Sequence, residues 1–386
     1  MRFGKVERMA FASEITRTQH SALEVAPEQT LCPPYDVRGE IDWIDFSGTE
    51  NPFGTPSSFV HVLRKAMADG WMSYLPDREA HTLRSALARI YGMPVESFLV
   101  GTTVSNMIQA VGQAFEPCVV GIPMPCPIEN VLALTNTGHE VVNISSPASF
   151  VTPPADMVAQ RDMKLDAALL SNPSWPTSRL LSRSTLLSYL ETCDWVIVDE
   201  RSIELTLGGE TMVPRVRDHK NLIIVQSFSE QYCMPGAHIS YLVAHPDTIA
   251  EISRFYDNTC VSMLAEVLAE QHISEYPRLD GVRGFLYSEI PWMQCMLSLV
   301  PGIDIFPAEA NYVMCTFHNG GDLKLAVRDI DELSARLQLE GFLVRKLEGT
   351  PGLVKNGYFC VAVRTRQDNE KLIAALRRIV SPSSYE

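Results

Sequence analysis

Short, continuously apolar runs separated by helix-length stretches fill the middle of this chain. They fall at Phe98-Leu99-Val100, at 118–122, 140–144, 167–170, 195–198, 222–225 and 241–244. A strand with one wet face alternates apolar and polar residues, whereas one that is apolar throughout must be covered on both faces. Helical spacing over 59–69, 81–91 and 105–115 supplies the covering layers. The pattern predicts an α/β fold with a mainly parallel sheet between helices. From about residue 276 it changes to long helical stretches with strand-like runs at 310–315, 341–345 and 358–363, which predict a smaller α+β domain. Residues 1 to about 40, with Pro33-Pro34, read as an irregular arm with one short helix near 14–23. The expected division is an arm and part of the small domain over 1–55, a large domain over 56–275 and a small C-terminal domain over 276–386.

Composition narrows the function. The chain has 386 residues, 46% of them hydrophobic, with a net charge of −14 that would repel a phosphate backbone. No nucleic-acid partner is expected. No apolar run approaches the ~20 residues of a membrane span, and the first residues lack a signal-peptide core, so neither a membrane partner nor export is expected and a cytoplasmic address follows. Nine cysteines lie singly, without CxxC pairs, so free thiols and no metal site are expected.

Chemistry concentrates where strands end. Asp199 closes the run Trp195-Val196-Ile197-Val198, where open α/β sheets bind ligands, or else it caps a loop. Ser227 and Ser229 sit on the turn after another strand and Ser105 opens a helix, so their hydroxyls and the helix N-terminal amides can form an anion cup, although serines there are also ordinary N-caps. Glu50-Asn51-Pro52-Phe53-Gly54, Tyr74-Leu75-Pro76-Asp77 with Leu83-Arg84, Asn172-Pro173-Ser174-Trp175-Pro176-Thr177, Val198-Asp199-Glu200, the segment 224–241, Ala310-Asn311-Tyr312 and Val344-Arg345 follow in that order.

Together these motifs resemble the class I/II aminotransferases, most closely the histidinol-phosphate aminotransferase and threonine-phosphate decarboxylase branch, over nearly the whole chain from about residue 40. The resemblance implies a fold type I pyridoxal-phosphate (PLP) scaffold and a homodimer. It implies that Asp199 pairs with the protonated pyridine nitrogen and that Tyr74 reaches the phosphate of the neighbouring subunit, an ordinary core or interface tyrosine being the other reading. It also implies a cofactor lysine, held as a Schiff base, where this chain has Glu230. A carboxylate cannot form that bond.

Other positions depart as well. The phosphate-clamping arginine is His238, the asparagine at the phenolic oxygen is Trp175, and the tyrosine after the acidic pair is Ser202. The stacking aromatic falls at Pro127 and the glycine of the phosphate loop at Thr103. The arginine for the substrate carboxylate aligns with Cys360, with Arg364, four residues on, as a shifted replacement. Each lost bidentate or stacked contact is worth about 1–3 kcal/mol. No cofactor is therefore expected, with PLP or pyridoxamine phosphate (PMP) binding at most weakly and non-covalently.

Three functional readings follow. The first is a cleft repurposed for non-transaminase chemistry on a small metabolite, with Glu230 as acid or base, His238 facing it as partner or serving as an anion contact, and Asp199 orienting, in which Cys360 could add a thiol. The second is a non-catalytic subunit that binds a ligand, an active paralogue or a carrier protein. The third is lysine-independent PLP or PMP chemistry on an amino acid. Asn51, Cys360 and Arg364 are candidate substrate contacts; Ser105, Ser227, Ser229, Tyr74, Trp175 and Ser202 line the inherited pocket. Glu200 and Arg201 are either new pocket residues or an interdomain pair.

Overall fold

The computed structural model describes residues 43–145, 150–161, 163–257, 261–274, 279–320, 325–353 and 357–381. The arm expected over residues 1 to about 40, with its short helix and Cys32, lies outside them, as does Cys260.

Among the described residues, twelve strands form two sheets. The larger takes β2 (Phe98–Gly101), β3 (Val119–Ile122), β4 (Glu140–Asn143), β5 (Ala167–Ser171), β6 (Trp195–Asp199), β7 (Leu222–Ser227) and β8 (Ser240–Val243), in the order β2-β8-β7-β6-β5-β3-β4. The pairs from β4 through β7 are parallel, while β8 runs antiparallel to both β2 and β7. The smaller sheet takes β1 (Ile44–Phe46), β9 (Ile303–Ile305), β10 (Tyr312–Phe317), β11 (Phe342–Lys346) and β12 (Tyr358–Ala362), in the order β1-β11-β12-β10-β9. Its strand β1, from the first half of the chain, pairs parallel with β11.

The continuous apolar runs of the large sheet are explained by two cores. Ala168, Leu170, Val196, Val198, Leu222 and Ile224 pack on one face. Ala167, Leu169, Trp195, Ile197, Ile223 and Val225 pack on the other. Period-two alternation then fixes the strand ends. Asp199 and Ser227 continue the Trp195/Ile197 and Ile223/Val225 face; Gln226 continues the opposite one. Helices close both faces. Thr103 caps the helix Val104–Ala114 by accepting from Asn106 N at 3.2 Å, which fixes that N-terminus beside the end of β2. At Gly101 an added Cβ would collide with Met107 Sδ and the Tyr256 hydroxyl.

The small sheet packs against the helices Leu279–Ser298 and Arg366–Val380. Thr365 caps the second of these, accepting from Asp368 N at 3.3 Å, and Leu372, Ile373, Leu376 and Ile379 form its buried stripe. The two helices are joined by a buried charge: Glu289 accepts from Arg366 Nε at 2.9 and 3.0 Å and from Asn369 Nδ2 at 2.9 Å.

Candidate active site

The carboxyl edge of the parallel strands carries a three-charge cluster. Asp199, 3% exposed, is gripped by Arg201: Nε lies 3.0 Å from each carboxylate oxygen and Nη2 lies 2.6 Å from Oδ2. The backbone N–H of Arg201 also donates to Oδ1 at 3.2 Å. Burial alone would depress the guanidinium, but the Asp199 charge and hydrogen bonds more than reverse that and hold it protonated. Its Nη2 reaches Asn130 Oδ1 at 3.4 Å, and Asn130 Nδ2 is buried without a partner.

Glu230 lies in the single turn Phe228–Gln231, which Ser227 caps by accepting from Ser229 N at 3.1 Å. Burial pushes its carboxyl above the usual carboxylate range and the Asp199 charge adds to that, while Arg201 and a hydrogen bond from Ser227 pull it down. Glu230 Oε2 is buried and unpartnered. A buried acid whose carboxyl is pushed up, next to a fixed cation and with one oxygen unpartnered, is the arrangement proton transfer needs.

The strap before the first helix fixes this turn. Asn51 N donates to Glu230 O and Asn51 Nδ2 to Gln231 O, both at 2.8 Å. Asn311 Nδ2, from the small sheet, donates to Thr49 O at 2.7 Å and Glu50 O at 3.1 Å. Glu50, with its carboxyl raised by burial, feels the charges of Arg364 and Arg345. Arg345 lies over the Trp175 ring at 4.8 Å, and Arg364 Nε is buried without a partner. Trp175 and Arg345 thus form one wall, and Tyr312 donates to Ser174 O at 3.0 Å beside it.

Several expected residues sit elsewhere. His238 does not face Glu230: it is exposed, in left-handed backbone at φ 47°, and among the described residues no hydrogen bond or ion pair joins the two. Cys360 is no nucleophile in this arrangement, because burial pushes its thiol up to about 12 and it donates to Pro176 O at 3.6 Å. Arg364 lies two residues beyond the end of β12, beside Cys233 and Glu50. Ser105 is half-buried, 3.4 Å from Thr103 Oγ1; Ser202 is buried; Tyr74 is 67% exposed. Arg201 and Glu200 form no interdomain pair, since both bind within the large domain. Asn130 went unnoticed in the sequence, where its signal was one polar residue on the buried stripe of the apolar helix Ile128–Thr135.

Glu200 turns to the opposite face, where Thr211 Oγ1, Met212 N and Gln226 Nε2 donate to it at 2.5, 2.7 and 3.0 Å. Burial pushes this carboxyl up to about 7 from 4.5. A native pKa above the unfolded one means the protonated form is favoured on folding. The associated stability is complete below the unfolded value and is lost as pH rises through 7, by about 2–4 kcal/mol. Urea denaturation should therefore show lower stability at about pH 8 than at about pH 5, with the Glu200 share of that slope gone in Glu200→Gln. An unchanged slope in the variant would show that Glu200 titrates alike in both states.

The fold and this edge define a PLP-transferase scaffold of fold type I. Residues 41–376 match the family model for aminotransferase class I and II, and the chain belongs to that family. It is 27% identical over 373 residues to the threonine-phosphate decarboxylase of Salmonella typhimurium, with 95% of each chain covered. Its fold is similar to that of the histidinol-phosphate aminotransferase from Clostridium acetobutylicum, with a TM-score of 0.76 at 20% identity, covering 87% of this chain and 98% of that one. The histidinol-phosphate aminotransferase from Sinorhizobium meliloti, solved in complex with pyridoxal-5'-phosphate, aligns with a TM-score of 0.70 at 17% identity over 87% of this chain and 90% of that one.

Membership corrects the expectation that no cofactor is used. That expectation rested on lost contacts, yet the family is PLP-dependent and its model matches residues 41–376 of this chain. The residues present fit such a group held without a covalent bond. Asp199 lies at the strand end, hydroxyls and amides are offered around Thr103, Ser105, Ser227 and Ser229, and Asn130 Nδ2 and Glu230 Oε2 are buried with no partner.

Proposed function

We propose that this protein is a lysine-free member of its family that holds PLP or PMP non-covalently and carries out chemistry other than lysine-mediated transamination on a small anionic amino compound. The observation behind the proposal is Glu230, a raised and half-satisfied carboxyl at the family's lysine position beside Arg201 and Asp199. When bound, the cofactor supplies an electron-accepting ring. Glu230 holds and moves the proton at Oε2, Ser227 orients it, and the strap at Asn51 fixes its backbone. Arg345 and Arg364 offer positive charge to the anionic group of the substrate, in keeping with the phosphorylated compounds named for the relatives. The proposal includes a homodimer, supported by the exposed Tyr74 and Leu75.

Calorimetric titration of the full chain with PLP and PMP tests this reading. Micromolar binding is expected, with no adduct at position 230 after borohydride treatment. Glu230→Gln should keep the binding but slow solvent-deuterium exchange at the α-carbon of amino-acid ligands by about 100-fold or more. Absence of binding by both forms, or exchange in Glu230→Gln at the wild-type rate, would overturn it.

A further inference from the structure

Position 201, directly after the acidic pair Asp199-Glu200, is arginine. Its guanidinium makes three contacts to Asp199, at 2.6, 3.0 and 3.0 Å. Arg201 keeps 29% of its side chain exposed whereas Asp199 keeps 3%, so the arginine is the solvent-facing member of the pair and covers the carboxylate. The geometry is that of a plug. A buried carboxylate is compensated by one close cation, and a second brought to the same oxygens meets the first one's charge at a few ångströms with little water to screen it.

We propose that Arg201 is a resident competitor for the ring-nitrogen position, so that the cleft selects against ligands with a protonated ring and accepts one only when the guanidinium leaves Asp199. A place to go is provided. The other charges around Arg201 are carboxylates, Glu230 from the turn Phe228–Gln231 and Glu129 from the helix Ile128–Thr135, with the neutral Tyr312 also beside it. Displacement therefore exchanges one carboxylate for another. It also brings the cation onto Glu230, so ring binding and the charge state of the acid–base group are coupled through one side chain. This inference rests on the functional reading above, and Arg201 acts in it as a specificity-determining residue.

The test compares PMP with an analogue whose ring nitrogen is replaced by CH, titrated calorimetrically into wild type, Arg201→Gln and Arg201→Lys. Arg201→Gln should bind PMP about tenfold to a hundredfold more tightly than wild type, the value of one charge-assisted contact no longer displaced. Its affinity for the nitrogen-free analogue should change by less than about twofold, since that ring never competes for Asp199. Arg201→Lys keeps a cation on the buried carboxylate without the fork. It should fold even where the glutamine variant does not, and should bind PMP with an intermediate gain. Equal PMP affinity in wild type and a folded variant would overturn the competition while leaving non-covalent cofactor binding in place. Weaker binding in both variants would make Arg201 a ligand contact and overturn it too. If no variant and no wild-type protein binds PMP, the functional reading falls and the competition falls with it.

Discussion

Glu230→Lys is expected to leave amino-group transfer at least about a thousandfold below that of a lysine-bearing family member, a barrier difference of about 4 kcal/mol. Lysine would restore an amine but not the setting in which it works. Arg201, 2.6–3.0 Å from Asp199, would still compete with a protonated ring nitrogen for that carboxylate. That charge-assisted contact is worth about 1.5–3 kcal/mol, and loss of aromatic stacking at Pro127 adds about 0.5–1.5 kcal/mol. The new ammonium would also share a buried pocket with the Arg201 guanidinium, where the present carboxylate is attracted to it. Amino transfer to an α-keto acid, followed under single-turnover conditions, decides the matter. Robust transfer by the single variant would refute this account of the cleft.

Arg366→Ala should lower stability by about 2–3 kcal/mol, read as a shift in the urea midpoint with unchanged slope. Glu289 is 1% exposed and its partners are Arg366 and Asn369, so truncating the arginine leaves a buried carboxylate with one amide donor. The cost is set below that of a fully buried pair because Arg366 is 44% exposed and water can reach the gap. Trp292, which the guanidinium covers at 4.1 Å, loses its cation contact as well. Replacing both charges by Glu289→Met with Arg366→Leu should recover most of the loss. A double variant as unstable as the single one would show that packing, and not the stranded charge, sets the cost.

The large sheet was legible because its strands bury both faces, and only apolar residues tolerate that. The same alternation places Asp199 with Trp195 and Ile197, so even the direction of the key carboxylate follows from the sequence. The antiparallel sense of β8 does not, since an apolar run reads the same in either direction. His238 was misplaced because left-handed backbone turns its side chain out to solvent, and nothing in residues 234–240 signals that for a histidine. Cys360 aligned with a substrate contact, but its thiol is absorbed by the Pro176 carbonyl. Arg201 was read only as a new pocket residue or as part of an interdomain pair with Glu200. Its hold on the neighbouring carboxylate depends on a rotamer folding back over two residues, which spacing alone leaves open.

The strap at 49–51 is gripped at both ends, by Asn311 from the small sheet and through Asn51 to the backbone of Glu230 and Gln231. It works as a tie-rod. A displacement of Asn311, which directly precedes β10, would pass to residue 230 through this strap, by two hydrogen bonds entering it at Thr49 and Glu50 and two leaving it from Asn51. The aim of Glu230 is thereby tied to the segment that leads into the small sheet.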